Sequence, residues 1–273
     1  MVNTQLKILR VFGPTGAEVS SVLRGIRDDG CPGLRLLERE EHRMRCYKAT
    51  GYALLGKVYF QMGKYEKALE PLRISYRLLQ GDPNVYLTDY KNKQASFGYT
   101  EMGMMEIMSF IPFVYSDNET LYCKFNPTMR NYYLPYYNMA PTDYLKPEIY
   151  VLFSEKDLRR NLISTKNTLG ESLPYPYCGA LGAHTNLGCA LPEVYLMLAE
   201  CEARAGSESE AKRILKEFRS YRLLDGYEDV PASVKTKEEL IRFCVEEQTR
   251  EFVGTGYRFY NVRRLWNDPL FQD

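Results

Sequence analysis

One tryptophan, two histidines and no surplus of either charge are what this sequence lacks, and each scarcity removes a class of function. His42 and His184 stand alone, with no His-x-x-x-His pair, no Gly-x-Ser-x-Gly turn and no phosphate-cradling glycine loop, so neither is a persuasive catalyst. The 36 basic and 35 acidic side chains leave a formal net charge of +1, which gives no global field to hold a polyanion and excludes nucleic acid as the expected partner. Seven cysteines (Cys31, Cys46, Cys123, Cys178, Cys189, Cys201 and Cys244) form no Cys-x-x-Cys pair, so zinc and thioredoxin-like chemistry are unsupported. Cys46, Cys201 and Cys244 fall inside helical patterns, where a free thiol acts as a small apolar core residue. No stretch approaches the roughly 18 consecutive apolar residues of a membrane-spanning helix. The start, Met1 to Lys7, has neither a charged and apolar leader nor a lipid-attachment cysteine, so an export signal has been removed, lies upstream or never existed. No metal and no cofactor are expected.

What is present suits a globular body. Hydrophobic residues make up 45% and charged residues 26% of 273 residues, enough for one large domain or two closely packed ones. Tyrosine is in surplus, 23 against 12 phenylalanines. A tyrosine ring can stack on a ligand while its hydroxyl hydrogen-bonds, which suits a sugar-binding surface; half-buried packing is the plainer use of any single one.

An internal repeat organises the chain. Tyr52, Leu55, Gly56, Tyr59, Gly63, Ala68 and Leu72 fall on tetratricopeptide spacing, and Tyr195, Leu198, Ala199, Gly206, Ala211 and Leu215 repeat it 143 residues later. The small residues at 56, 68, 199 and 211 let paired helices approach closely, and Gly63 and Gly206 are placed to end the first helix of each pair. Helical hairpins are therefore expected over about 40–80 and 191–222. One such unit cannot bury its apolar face alone, so the two must pack on each other or on further helices.

Between them, about 81–190, seven prolines from Pro112 to Pro176 interrupt any long helix, which predicts a loop-rich insert with short elements at 104–115 and 147–153 and an extended piece after Arg159. Thr236 with Glu239 is a capping box for a helix over about 237–252. Gly254 and Gly256 stop it, and 257–266 forms a last short helix.

The segment from Glu246 to Phe252, followed by Gly256-Tyr-Arg-Phe-Tyr-Asn-Val-Arg-Arg264, resembles the C-terminal signature of SusD-like (SusD/RagB) proteins. Gln248 and Thr249 stand where that signature has arginines, Thr255 where it has Glu and Asn261 where it has Asp. Thr50 to Leu72, Leu191 to Leu215 and Glu155 to Asn161 are similar to three further family segments, in the family's order. The resemblance covers roughly 40–266 and implies a single SusD-like domain over 1–273, shortened at both ends relative to the family. It also implies a lipoprotein of the outer membrane at the cell surface, which serves polysaccharide utilization by capturing a nutrient glycan for a SusC-like TonB-dependent transporter. The membrane would be met only through a lipid anchor that this sequence does not contain.

For the ligand, Asn131-Tyr-Tyr-Leu-Pro-Tyr-Tyr-Asn138 is the best candidate, because Tyr132, Tyr133, Tyr136, Tyr137 and Asn138 bring stacking faces and an amide together in the insert. The competing use is to clamp the insert to the helices. Paired carboxylates such as Glu246 and Glu247 read as a solvated helix face, so no catalytic residue is assigned. Trp266 is expected to seal the terminal helix, and Arg250, Glu251 and Arg258 to lock the C-terminal motif onto the second hairpin.

The expectation is thus a mainly α protein of packed tetratricopeptide-like hairpins with an irregular insert, which binds an oligosaccharide without transforming it. A tetratricopeptide scaffold for a protein or peptide is the first rival. A glycan-processing enzyme, marked by two carboxylates about 5 to 10 Å apart in a cleft, is the second.

Overall fold

In the computed structural model, which describes residues 46–103, 106, 107, 110, 117–122, 144–166, 171–177 and 188–272, the repeat spacing becomes two helical hairpins. The first pairs α1 (Lys48–Gln61) with α2 (Tyr65–Leu79). Ala49, Ala53 and Phe60 line one side of α1 and meet Ala68, Leu72 and Leu79 of α2 in the main core. Gly56 is what allows the approach: a Cβ built on it would lie 2.5 Å from Leu72 Cγ. Gly63 turns the chain at φ 69°, a left-handed conformation that costs a residue with a side chain strain.

A short helix α3 (Tyr90–Gln94) and a 3₁₀ turn at Ala95–Phe97 follow. The insert contributes strand β1 (Thr120–Tyr122), helix α4 (Pro147–Tyr150), a 3₁₀ segment at Leu158–Leu162, strands β2 (Ser164–Lys166) and β3 (Ser172–Tyr177), and β4 (Cys189–Ala190). β1 pairs antiparallel with β4, and β2 with β3. The short element after Pro147 and the extended piece after Arg159 are therefore present, the latter reached through a 3₁₀ turn, while most of 104–115 lies outside the described residues.

The second hairpin, α5 (Leu191–Ala205) with α6 (Glu208–Ser220), supplies the central element. Every residue of α5 from Leu191 to Ala203 is buried, because it packs on α1, α2, α6 and α7 (Lys237–Glu251) at once; a helix covered on all sides needs no polar stripe. Gly206 ends α5 at φ −120°, so its role is not the left-handed turn that its spacing predicts. It is needed because a Cβ there would run into Glu202, whose carboxylate accepts from Ser207 N.

Thr236 caps α7 as expected: its Oγ1 accepts from Glu239 N at 3.2 Å, while Glu239 Oε2 accepts from Thr236 N at 2.9 Å. Gly254 and Gly256, at φ 75° and 80°, redirect the chain into α8 (Tyr257–Leu265). Trp266 does not seal this helix; it is exposed, because the inward positions of α8 are Tyr257, Asn261 and Leu265. The protein is mainly α, as the sequence indicates. Among the described residues no helix is long and apolar enough to cross a membrane.

Candidate functional site

Two features converge on the junction between the helices and the insert: a buried lattice of ion pairs, and an exposed tyrosine face.

The lattice begins with the period of α7, which turns Glu247 and Glu251 to the same side, one turn apart. Glu247 accepts from Arg159 Nη2 at 2.5 Å, Arg219 Nη1 at 2.7 Å and Arg250 Nη2 at 2.8 Å. Burial works against its charge, yet Arg159, Arg250 and Arg219 together hold its carboxyl well below the usual carboxylate range. Glu251 is likewise held low by Arg222 and Arg159 against the same burial. Arg222, fully buried, spans Glu251 Oε1 at 2.9 Å and Glu119 Oε1 at 2.7 Å. Asp157 completes the set by receiving Arg159 Nη2 at 2.7 Å.

Asp157 and Arg159 belong to the insert, Arg219 to the end of α6 and Arg222 to the turn after it, and Glu247, Arg250 and Glu251 to α7. The lattice therefore rivets three parts of the chain. Backbone bonds follow the same seam, with Leu158 N donating to Arg222 O at 3.0 Å and Leu224 N to Lys156 O at 3.0 Å. Glu247 is not the solvated half of an acidic pair. Successive helical residues point about 100° apart, so Glu246 faces water while Glu247 faces the arginines. Arg250 and Glu251 do lock the C-terminal segment, but among the described residues Arg258 forms no ion pair, and its Nη1 donates to Thr249 Oγ1 at 3.4 Å.

Glu119 is the exception in this set. Burial pushes its carboxyl up to about 7, more than the neighbouring Arg222 lowers it. Its Oε1 also accepts from Thr88 N at 2.8 Å, and its backbone oxygen from Leu191 N at 2.7 Å, so it ties the start of β1 to the helices.

A second polar chain runs from α5 to α8. Glu200 receives Arg264 Nη1 at 2.7 Å, Arg204 Nε at 2.7 Å and Gln248 Nε2 at 2.7 Å; Gln248 Oε1 receives Asn261 Nδ2 at 2.9 Å, and Asn261 Oδ1 receives Arg264 Nη2 at 3.1 Å. Gln248 and Asn261, two departures from the resembled signature, are thus partners of each other.

The tyrosine face lies on the insert. Tyr144 and Tyr175 are 40% and 51% exposed, with ring centroids 5.9 Å apart and planes at 64°. Leu145 N donates to Pro176 O at 2.8 Å, which fixes the two segments side by side. Leu145 and Ile149 then line a groove of about 120 Å³ against Phe252, Tyr257 and Asn261. Arg160 stacks 5.1 Å from the Tyr150 ring and donates from Nε to its hydroxyl at 3.2 Å. Exposed rings beside hydroxyls and fixed donors can hold the apolar and hydroxyl faces of a sugar.

Of the residues that sequence reasoning chose for the ligand, Tyr132, Tyr133, Tyr136, Tyr137 and Asn138 lie outside the described residues. Tyr144 and Tyr175 were missed, since each is one tyrosine among many; Tyr175 between two prolines in β3 was the available signal. Among the described residues Cys46, Cys201 and Cys244 are free thiols, and burial pushes the Cys189 thiol up to about 12. Among the described residues no group of three or more His, Cys, Asp or Glu is placed to hold a metal ion.

With this geometry in hand, residues 191–270 match the profile of the SusD family. Solved structures share the fold. A SusD superfamily protein from Bacteroides thetaiotaomicron VPI-5482 is 21% identical with a TM-score of 0.59, covering 91% of this chain and 54% of its own. A putative sugar binding protein from Bacteroides vulgatus ATCC 8482 is 17% identical at TM-score 0.58, with 90% and 52% covered. Surface glycan-binding protein A from Bacteroides uniformis is 17% identical at TM-score 0.56, with 92% and 57% covered. The chain thus spans about half the length of the solved structures it matches. No curated protein matches the sequence.

Proposed function

We propose that this chain, whose residues 191–270 match the SusD family and whose fold is shared by solved SusD superfamily structures, binds an oligosaccharide at the outer-membrane surface without transforming it and passes it to a SusC-like TonB-dependent transporter. The observation that carries the reading is the exposed Tyr144–Tyr175 pair, held on the insert by backbone pairing beside the groove. Tyr132, Tyr133, Tyr136, Tyr137 and Asn138, close in sequence, would extend the same shelf. The whole chain acts as one domain in which helices form the frame and the insert presents the sugar-contacting rings. The buried carboxylates of the lattice serve that frame: each is bound to at least one arginine, which suits a scaffold and not proton transfer to a substrate.

Modest affinity is sufficient for such a role, since tethering beside a transporter raises the effective concentration of loaded protein. A glycan array followed by calorimetry tests the proposal. Intact glycan should bind and be recovered unchanged, and Tyr144→Ala with Tyr175→Ala should weaken binding without lowering the melting temperature. Hydrolysed glycan would establish the enzyme reading, and peptide binding without glycan binding would establish the scaffold reading.

A further inference from the structure

Helix α8 buries Tyr257 and Leu265 inward, as a surface helix does, but it also carries large apolar side chains on its outward side. Its inward side carries the polar Asn261, and Arg264 reaches inward to Glu200. Its outward side carries Phe259, Val262 and Trp266, which are 69%, 47% and 72% exposed. These positions are three and seven residues apart, so they form one row about 10 Å long on the helix. Tyr260 flanks the row, 55% exposed, with its ring edge-on to Phe259 at 5.7 Å.

The charged side chains that α8 itself contributes are of one sign. From Tyr257 to Trp266 there is no Asp or Glu. Arg264 is committed to Glu200, while Arg258 and Arg263 are exposed beside the row.

We infer that α8 is a docking ridge that inserts Phe259, Val262 and Trp266 into an apolar groove of a partner protein whose rim carries carboxylates. Anchors at i, i+3 and i+7 are the spacing by which a helix is read in a groove. Tryptophan, tyrosine and arginine are also the residues that carry most of the energy at protein interfaces. A sugar fits the row poorly, because small-ligand sites are concave and a helix ridge is convex. A second copy of this chain is disfavoured, since pairing the ridge with itself would bring Arg258 and Arg263 against their own equivalents. A partner bearing carboxylates satisfies both arginines as the rings are buried. Phe259, Val262 and Trp266 do not line the groove beside the tyrosine face, although Arg258 does, and the inference does not depend on the glycan proposal.

The test places the photo-cross-linker p-benzoylphenylalanine at position 259, and separately at 266, in the full chain within the cells that produce it. Both side chains are exposed, so an unchanged melting temperature confirms that each variant folds. The expected product is a cross-link to a protein segment in which Asp or Glu alternates with apolar residues. Arg263→Glu should lower its yield about tenfold, and lysine in place of the contacted carboxylate should restore it. Cross-links only to lipid, to glycan, to a second copy of this chain or to a segment without carboxylates overturn the inference. So does a yield that Arg263→Glu leaves unchanged, or no cross-link at all. Glycan binding measured on Arg263→Glu should stay as in the parent, which separates failure here from failure of the sugar reading.

Discussion

Arg159 Nη2 lies 2.5 Å from Glu247 Oε1, across 88 residues of sequence, and that contact joins the insert to the helical frame. Both side chains are buried, with Arg159 also bonded to Asp157 and Glu251, and Glu247 also bonded to Arg219 and Arg250. The arrangement follows from a general constraint: a buried charge is tolerable only when paired and fully hydrogen-bonded.

Removing one member should therefore be far worse than removing a surface pair. Glu247→Leu leaves three guanidinium groups without their shared carboxylate and should lower unfolding free energy by about 3–5 kcal/mol. Glu246→Ala, one residue away on the solvated side, should change it by less than about 0.5 kcal/mol. Urea titration of both variants measures the contrast. Equal effects would mean that the lattice does not support the frame.

Helix packing gives a second test. A methyl group at Gly56 meets Leu72 Cγ and Cδ2 at 2.5 and 2.6 Å, so Gly56→Ala should destabilise by about 1–3 kcal/mol despite alanine's better helix propensity. Leu72→Ala alone should cost about 2–5 kcal/mol through its cavity. In the double variant the new methyl group enters space that Leu72 vacates, so the combined loss should be smaller than the sum of the two. A double-mutant cycle by thermal unfolding checks it, and strict additivity would refute the contact.

Much of this was legible beforehand, because it depends on local spacing. The tetratricopeptide positions gave both hairpins, and Thr236 with Glu239 gave the start of α7. The partners of Glu247 were not legible, since Arg159 and Arg219 are 88 and 28 residues away and nothing in a linear pattern distinguishes a buried glutamate from its solvated neighbour Glu246. Trp266 was misjudged for a related reason. Burial tendency favours an indole inside, but the side of α8 that faces the frame is fixed by the bond between Asn261 and Gln248.

The acid groups predict a pH dependence of two opposite signs. Glu200, Glu247 and Glu251 are lowered in the fold, so their contribution to stability is full above the ordinary carboxylate value of 4.5 and is lost as pH falls through their folded values. Glu119 is raised to about 7, so its contribution is full below 4.5 and is lost as pH rises towards 7. Stability of the parent should therefore decline between pH 5 and 7 relative to Glu119→Gln, which cannot ionise. Urea midpoints of the two proteins across that window give the result. Parallel curves would show that Glu119 is ionised throughout, with Arg222 outweighing its burial.

Asn261 offers the sharpest test of the departures from the family signature, because hydrogen-bond direction leaves no freedom. Asn261 Nδ2 donates to Gln248 Oε1, and Gln248 Nε2 donates to Glu200 Oε2. Asn261→Asp replaces that donor with a carboxylate. Gln248 then either keeps its orientation and opposes oxygen to oxygen at Asp, or turns its amide and opposes oxygen to oxygen at Glu200. Either outcome leaves a buried acceptor unpaired, at about 1–3 kcal/mol. Gln248→Arg, which restores the residue type of the resembled signature, presents only donors and can serve both carboxylates. Asn261→Asp should thus be destabilising alone and largely rescued in combination with Gln248→Arg. Thermal melts of the four proteins in the cycle measure the coupling, and an unrescued double variant would show that the two positions do not act as a pair.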